Sequence, residues 1–217
     1  MVTIIDYGIG NLRSIEKAFE TVGATVHRTD DPADVVSAER LVLPGVGAFR
    51  ACIDEIRDRN LEAPIHEAVE RGTPFLGVCV GMQLLFDTGY EKGEHEGLGI
   101  LPGYVAHFRE VDAEMPDDLS VPHMGWNAIA PTRNSLLLND LGDAPYVYFV
   151  HSYHPVAESP ADVLATTPYG HPFPSVVQRD NVFGVQFHPE KSQAAGLGLL
   201  DNFAALSTAE QMREVAD

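Results

Sequence analysis

The chain is 217 residues long, 45% of them hydrophobic, and its 32 acidic and 14 basic residues give a formal net charge of −18. This length suits one α/β domain with a substantial core and is short for two, so we expect a single domain over residues 1–217. The acidic balance disfavours nucleic acid and anionic membranes as partners, because both bind basic surfaces.

The first part of the chain alternates short apolar runs with amphipathic ones. A strand at VTIID precedes a helix at LRSIEKAFETVG, closed by Gly23, and a strand at ATVHRT. A strand at RLVLPG, helices at AFRACIDEIRD and LEAPIHEAVERG, a strand at PFLGVCV and a helix at MQLLFDTG follow. This alternation predicts an α/β fold: an open, mostly parallel sheet with helices on both faces, whose ligands bind at the carboxyl ends of the strands.

After about residue 97 the chain changes to turn-rich β segments. These are GLGILPGYVAHF, PHMGWNAIA, YVYFVHSYHP, VLATTPYG and FPSVVQRDNVFGVQFHP. The final run AAGLGLLDNFAALS predicts a closing helix. We therefore expect an antiparallel β extension of the parallel sheet.

Cys79 stands at a predicted junction between a strand and a helix, in the stretch GVCVGMQ. Gly-x-Cys-x-Gly matches the nucleophile-elbow pattern, in which glycines permit a sharp turn that exposes the nucleophile. The helix dipole there would favour a thiolate, and backbone N–H groups, first that of Val80, would point to where an oxyanion forms. The alternative is a buried structural cysteine, which is our interpretation of Cys52 inside a helical pattern.

A thiol nucleophile needs a base, and the base needs a group that orients it. The stretch GVQFHPEKS supplies both candidates in His188 and Glu190. If VFGVQFHPE is a strand, these two side chains leave it on the same face, so Glu190 can accept from one ring nitrogen of His188 while the other faces the thiol. The alternative is a solvated His-Pro-Glu at the end of a hairpin.

The remaining motifs predict no metal, cofactor or nucleotide. No cysteine and histidine cluster has zinc spacing, and the aromatic-rich segments around His123, His151 and His154 favour structural histidines at least as strongly as functional ones. The loop DYGIGN has two glycines and no phosphate-binding lysine after it, so it does not match a dinucleotide loop.

The start of the chain and its charge bear on its surroundings. MVTIIDYGIGN shows no basic region with a cleavage site, and no stretch approaches the roughly 20 apolar residues that span a bilayer, so we expect a cytoplasmic protein with free thiols. Its many carboxylates and three lysines are typical of a surface adapted to high salt, where screening relieves repulsion.

Taken together, the motifs resemble a known family. GVCVGMQ with GVQFHPEKS is similar to the class I glutamine amidotransferases, whose triad is Cys, His and Glu in this chain order. DYGIGN, PGVGAF, PHMGWN, YFVHSY and HPEKS, in order from residue 6 to 192, resemble the glutaminase subunits of imidazole glycerol phosphate synthase. Val80 departs from the leucine more frequent there, a change that a backbone N–H contact should tolerate.

The resemblance implies that this subunit hydrolyses glutamine to glutamate and ammonia. A separate (β/α)₈-barrel cyclase would be its heterodimer partner and would use the ammonia to make imidazole glycerol phosphate in histidine biosynthesis. Cys79 would be the nucleophile, His188 the general base and then acid, and Glu190 the orienting group. The implied oxyanion and glutamine-binding residues are Gly45, Val46, Gly47, Val80, Gln83, Ser152 and Tyr153. The residues implied to face the cyclase are Asn11, Trp126, Tyr148 and Lys191.

The residues alone reach a thiol-dependent acyl-transfer enzyme, and glutamine comes from the resemblance. Two alternatives stay open. One is an amidotransferase subunit for another acceptor, such as chorismate or a purine nucleotide. The other is a catalytically inactive paralogue that serves as a binding or regulatory module.

Overall fold

The computed structural model describes residues 1–111, 115–116 and 118–207, so the last ten residues of the expected domain lie outside the description. The strands are β1 (Val2–Ile5), β2 (Val26–Thr29), β3 (Leu41–Gly45), β4 (Phe75–Cys79), β5 (Phe86–Gly89), β6 (His95–Glu96), β7 (Leu101–His107), β8 (His123–Ala128), β9 (Ala130–Pro131), β10 (Tyr146–His151), β11 (Tyr153–Ala157), β12 (Val163–Tyr169), β13 (His171–Arg179) and β14 (Val182–Val185). The helices are α1 (Leu12–Thr21), α2 (Pro32–Val36), α3 (Phe49–Asp58), α4 (Glu62–Glu70), α5 (Val80–Gln83), α6 (Phe108–Val111) and α7 (Gln193–Ala205).

The largest sheet has eight strands in the order β2-β1-β3-β4-β14-β13-β12-β9. Neighbours from β2 to β14 are parallel, and β13, β12 and β9 extend the sheet with antiparallel pairs. Every residue of β1, β3, β4 and β14 is buried, as parallel strands covered on both faces require. The predicted α/β fold, a mostly parallel sheet with an antiparallel extension, is confirmed.

The long helices follow the predicted periodicity. Helix α1 buries Ile15, Ala18 and Phe19, which share one face, and ends just before Gly23, whose φ of +84° stops the helix. Helix α7, close to the predicted closing helix, buries Leu199, Leu200 and Phe203, and the ring of Phe203 lies 6.2 Å from that of Phe19. The last helix is thereby packed against the first.

The short helices α2 and α6 were not predicted. In α2, the N-cap Asp31 accepts a hydrogen bond from the N–H of Ala33, and Pro32 occupies the first position, where the missing N–H costs nothing. The sequence DDPAD carries this signal for a helix start.

The helix predicted at MQLLFDTG is wrong. Helix α5 ends at Gln83, and Phe86–Gly89 form strand β5, which pairs with β6 and β7. The carbonyl of Leu85 accepts hydrogen bonds from the N–H groups of Ile100 and Leu101, so pairing with a distant strand replaces a local helix. The resulting sheet has the order β11-β7-β5-β6, and β8 and β10 form a separate antiparallel pair.

Among the described residues, we find no helix of the length and apolar character needed to cross a membrane.

Candidate active site

Cys79 ends strand β4 and stands directly before helix α5, with φ of 56° and ψ of −112°. This backbone conformation is sparsely populated for a residue with a side chain, and such strain persists where the surroundings enforce it. The surroundings are close backbone contacts at the flanking glycines. A Cβ atom on Gly81 would lie 1.9 Å from the carbonyl oxygen of Leu43, and one on Gly77 would lie 2.6 Å from the carbonyl oxygen of Gly81. The glycine spacing therefore lets α5 pack directly on the strands.

His188 and Glu190 are brought together, but not by the predicted strand. Strand β14 ends at Val185, and Pro189–Lys191 form one 3₁₀ turn with extended His188 as its N-cap. Pro189 favours this turn because its fixed φ suits a first helical position. Within the turn, Nδ1 of His188 lies 2.9 Å from Oε1 of Glu190, and both side chains are buried.

His188 lies beside the thiol and is anchored to strand β10. It lines the same cavity as Cys79, and its backbone N–H donates to the carbonyl of Tyr148 at 2.9 Å. Burial lowers the pKa of His188, but its interactions with Cys79 and Glu190 raise it to about 10. The site therefore favours a protonated His188 ring beside Glu190.

A cavity of about 380 Å³ opens beside the thiol. Of the predicted site residues, those that line it are Val46, Gly47, Cys79, Val80, Gln83, Ser152, Tyr153, His188 and Lys191. Gly45 is not among the lining residues. It pairs with Cys79 across β3 and β4, and a Cβ there would lie 2.6 Å from the amide nitrogen of Gly81, so it serves backbone packing.

Three polar residues at the site were not predicted. Glu91 and His151 line the cavity, and Oε2 of Glu91 accepts from the N–H of Phe49 at 2.9 Å. Gln186 donates to Sγ of Cys79 at 3.8 Å and accepts from Nε2 of Gln83 at 3.1 Å. Gln186 lies in the same stretch as His188, at alternating positions, and that alternation was the available signal. Glu91 follows a strand that was itself missed.

Comparison with known proteins identifies the family. The family model for class-I glutamine amidotransferases matches residues 3–205. The chain belongs to this family. It is 83% identical to the imidazole glycerol phosphate synthase subunit HisH of Salinibacter ruber, over 97% of each chain, and 52% identical to that of Syntrophotalea carbinolica, over 94% of this chain and 98% of the relative. The chain is thus an enzyme of the HisH branch of the class-I glutamine amidotransferases.

Solved structures of more distant proteins share the fold. A crystal structure of a glutamine amidotransferase superposes with a TM-score of 0.70 at 20% identity, covering 94% of this chain and 99% of that one. The structure of PurLQS from Thermotoga maritima gives a TM-score of 0.65 at 19% identity and covers 100% and 98% of the two chains.

Three of the four residues implied to face a partner lie together. The rings of Trp126 and Tyr148, paired across β8 and β10, are 6.1 Å apart, and Nζ of Lys191 lies 5.8 Å from the centre of the Tyr148 ring. Trp126 is 45% exposed, so it is not a core residue. Asn11 is exposed at the start of α1. Trp126, Tyr148 and Lys191, the aromatic-lysine patch, therefore form one surface beside the cavity mouth.

The second cysteine of this amidotransferase, Cys52, does not line the cavity. Cys52 is buried in α3, and both thiols are free of disulfides. Burial raises the pKa of the Cys52 thiol to about 11, and its Sγ lies 3.4 Å from the carbonyl oxygen of Val46. Cys52 thus has the environment of an inert buried thiol.

Among the residues that the structure describes, no group of three or more cysteine, histidine or acidic side chains is arranged to hold a metal ion.

Proposed function

We propose that the chain hydrolyses glutamine to glutamate and ammonia through a cysteine thioester and supplies the ammonia to a separate cyclase subunit. The observation that carries this proposal is the thiol of Cys79 beside a His188–Glu190 pair, at the wall of a cavity of about 380 Å³. The 83% identity to a relative named as a subunit of imidazole glycerol phosphate synthase supports imidazole glycerol phosphate as the product of the complex and histidine biosynthesis as the pathway.

The arrangement performs both halves of the hydrolysis. The Cys79 thiolate attacks the amide carbon of glutamine, and the imidazolium of His188 donates its proton to the departing nitrogen, so that ammonia leaves and a γ-glutamyl thioester remains. Neutral His188 then takes a proton from water, which attacks the thioester, and the thiolate leaves as glutamate is released. Glu190 holds the ring in orientation through Nδ1 and stabilises its positive charge in both steps.

Backbone groups would stabilise the oxyanion of the two tetrahedral intermediates. The N–H of Val80 opens helix α5 directly after the nucleophile, and the Val46–Gly47 segment lines the same cavity. One such donor is worth on the order of 10²- to 10³-fold in rate. Gln83, Ser152 and Tyr153 line the cavity and would hold the glutamine.

The aromatic-lysine patch is the surface proposed for the cyclase, with Asn11 as a further contact. Trp126 offers an exposed aromatic anchor of the kind enriched at interfaces, and Lys191 an ionic partner for a cyclase carboxylate. We infer a heterodimer with a (β/α)₈-barrel cyclase, in the cytoplasm, with the described chain as one amidotransferase domain. No cofactor or metal is needed for this chemistry.

We further propose that the isolated chain is a poor glutaminase and that the cyclase activates it. Gly47 has φ of +89° and nothing within 4 Å of where a Cβ would stand, so its peptide has room to turn. The carbonyl of Val46 is held by a weak thiol hydrogen bond from Cys52. A partner that favours the donating arrangement of this loop would raise the rate strongly.

The test is glutamine hydrolysis by the chain alone, with the cyclase, and with the cyclase plus its nucleotide ligand. We expect the rate to rise at each step, and Gly47→Ala to lose most of the stimulated rate. Equal rates in all three mixtures would refute activation, and co-purification with a different acceptor enzyme would refute the cyclase as partner. No glutamate release under any of these conditions would refute the glutaminase itself.

A further inference from the structure

Four histidines lie in one cluster in the β-rich part of the chain, three of them buried and His171 half-buried, and the proposed reaction uses none of them. They are arranged as two hydrogen-bonded pairs around Phe108. Nδ1 of His123 lies 3.2 Å from Nε2 of His151, and Nε2 of His171 lies 3.0 Å from Nε2 of His154. The rings of these histidines lie within 4.6 to 6.3 Å of the Phe108 ring. Two pairs of one residue type in one aromatic cluster invite comparison.

The tautomers of the first pair follow from their fixed neighbours. Nδ1 of His151 lies 2.9 Å from the carbonyl oxygen of Tyr153, and a carbonyl only accepts, so the ring carries its proton on Nδ1 and accepts at Nε2. His123 must then donate from Nδ1 to His151. Burial lowers the pKa of both rings, that of His123 to about 4, so each is neutral near pH 7 and carries one N–H.

The hydrogen bonds of Asn127, at the other end of this series, require the same direction of donation. Oδ1 of Asn127 accepts from the N–H of Ala128 at 2.9 Å, and Nδ2 donates to the carbonyl of Pro168 at 3.0 Å, which fixes the orientation of the amide. Nδ2 therefore donates to Nε2 of His123 at 3.3 Å, which leaves the proton of His123 on Nδ1. Every donor along Asn127, His123, His151 and the Tyr153 carbonyl points the same way.

This series of hydrogen bonds ends at the substrate cavity. The Tyr153 carbonyl accepts a second hydrogen bond, from Nε2 of Gln83 at 2.9 Å, and Gln83 is joined through Gln186 to the sulfur of Cys79. Ser152 and Tyr153 line the cavity. The second histidine pair ends elsewhere, because Nδ1 of His154 donates to the carbonyl of Pro155 at 3.0 Å.

We propose that His123 and His151 are positioning residues for the glutaminase reaction, because their one-way hydrogen-bond chain from Asn127 holds the Ser152–Tyr153 segment against the substrate cavity. The inference rests on the proposed function. Strand β8 adds a consequence: His123 is buried, whereas Met124 and Trp126 are 62% and 45% exposed on the opposite face. A partner bound to that face would therefore contact strand β8, which carries Asn127 and His123 at the start of the hydrogen-bond chain.

The first test substitutes the donor of each pair. The His123 ring is stacked between Phe149 at 4.6 Å and Tyr169 at 3.9 Å, so His123→Phe keeps the packing while it removes the donor to His151. His171→Phe is the matched control, because it removes the donor to His154 in the same cluster. In the complex with the cyclase we expect His123→Phe to raise the KM for glutamine about tenfold, with a smaller effect on kcat, since a buried acceptor loses its partner. His171→Phe should lose a similar amount of Tm and leave KM within about twofold.

The second test reads the protons themselves. Nitrogen-15 NMR of the histidine side chains should show His123 and His151 protonated on Nδ1 in the wild type. Asn127→Asp, a substitution of equal size at a half-buried position, should move the proton of His123 to Nε2 and raise the KM as His123→Phe does. His123→Gln, which restores an amide donor, should recover part of the loss.

Several outcomes would overturn the proposal. A proton on Nε2 of His151 in the wild type would do so, as would equal KM values for His123→Phe and His171→Phe. If His123→Phe fails to fold, Asn127→Asp decides by the same two readouts. Wild-type complex without glutaminase activity would contradict the proposed function instead, and the tautomers would still be measured.

Discussion

The parallel half of the chain and the β-rich half place their groups at the site by different means. Up to Gly81, position is set by contacts of backbone with backbone, since Gly45, Gly77 and Gly81 leave no room for a Cβ. From Phe108 onwards, position is set by buried polar side chains such as His151 and His188, each held by specific hydrogen bonds. Backbone packing holds Cys79 rigidly. Hydrogen bonds of buried side chains can change when a proton or a partner binds.

The largest expected effect separates the two cysteines. Cys79→Ala should lower glutamine-dependent synthesis by on the order of 10⁴-fold or more, because the nucleophile is lost, while ammonium salts still support the cyclase. Cys52→Ala is the comparison. Cys52 is buried and does not itself line the cavity, but its thiol donates to the carbonyl of Val46, so we expect a loss of activity far smaller than that of Cys79→Ala. Inactivation by Cys52→Ala instead would reverse the assignment.

Glu190→Gln removes the carboxylate that holds His188 while it keeps the size of the side chain. We expect kcat to fall on the order of 10²-fold or more, because the imidazolium loses its carboxylate. The pKa of His188, raised to about 10 by Cys79 and Glu190 against burial, should fall, and histidine NMR would measure it.

The same variant makes a signed prediction for stability. A folded-state pKa above the unfolded value of about 6.5 contributes stability that is complete below that pH and is lost as pH rises through about 10. The gap in unfolding free energy between wild type and Glu190→Gln should therefore be widest below about pH 6.5 and narrow toward pH 10. A gap that widens with pH would contradict the proposed ion pair.

Gly81→Ala tests the first means of positioning. A Cβ there would meet the carbonyl oxygen of Leu43 at 1.9 Å, so the helix must move, and we expect a loss of about 3 kcal/mol or more in unfolding free energy. Gly198→Ala in α7 is the matched control, since its Cβ would meet the end of the Leu141 side chain at 2.8 Å and alanine favours a helix. Denaturant melts of both variants provide the measurement. Equal losses would show that the glycines at Cys79 are not packed as described.

The sequence predicted the backbone packing of the parallel half better than the side-chain hydrogen bonds of the β-rich half. Periodicity located α1, α3, α4 and α7, and the residue types of GVCVGMQ and HPE pointed to the thiol and its base. These signals are local, since they depend on residues that are close together in the sequence. The position of Cys79 at a junction of a strand and a helix was predicted this way.

The features that the sequence left out depend on distant partners. Strand β5 exists because β7 pairs with it, and the chain from His123 to His151 joins residues 28 apart that no spacing rule connects. The contact between His188 and Glu190 was predicted, but from the wrong local structure, since a 3₁₀ turn and not a strand brings them together. Their residue types predicted this contact better than the predicted strand did.

The smallest expected effect concerns charge, which also differs between the two halves. Up to residue 97 the chain has nine basic residues for 17 acidic ones, and beyond it five for 15. Repulsion among these carboxylates weakens as the Debye length falls from about 10 Å at 0.1 M salt to about 3 Å at 1 M. We expect Tm to rise by about 2–4 °C or more between these concentrations. Hydrogen exchange should locate the larger gain in protection in β12 and β13 rather than in β1 and β3, because the second half has fewer cations to neutralise its carboxylates. A flat or falling Tm would remove the interpretation of salt adaptation, and an equal gain in both halves would show that screening acts on the whole fold alike.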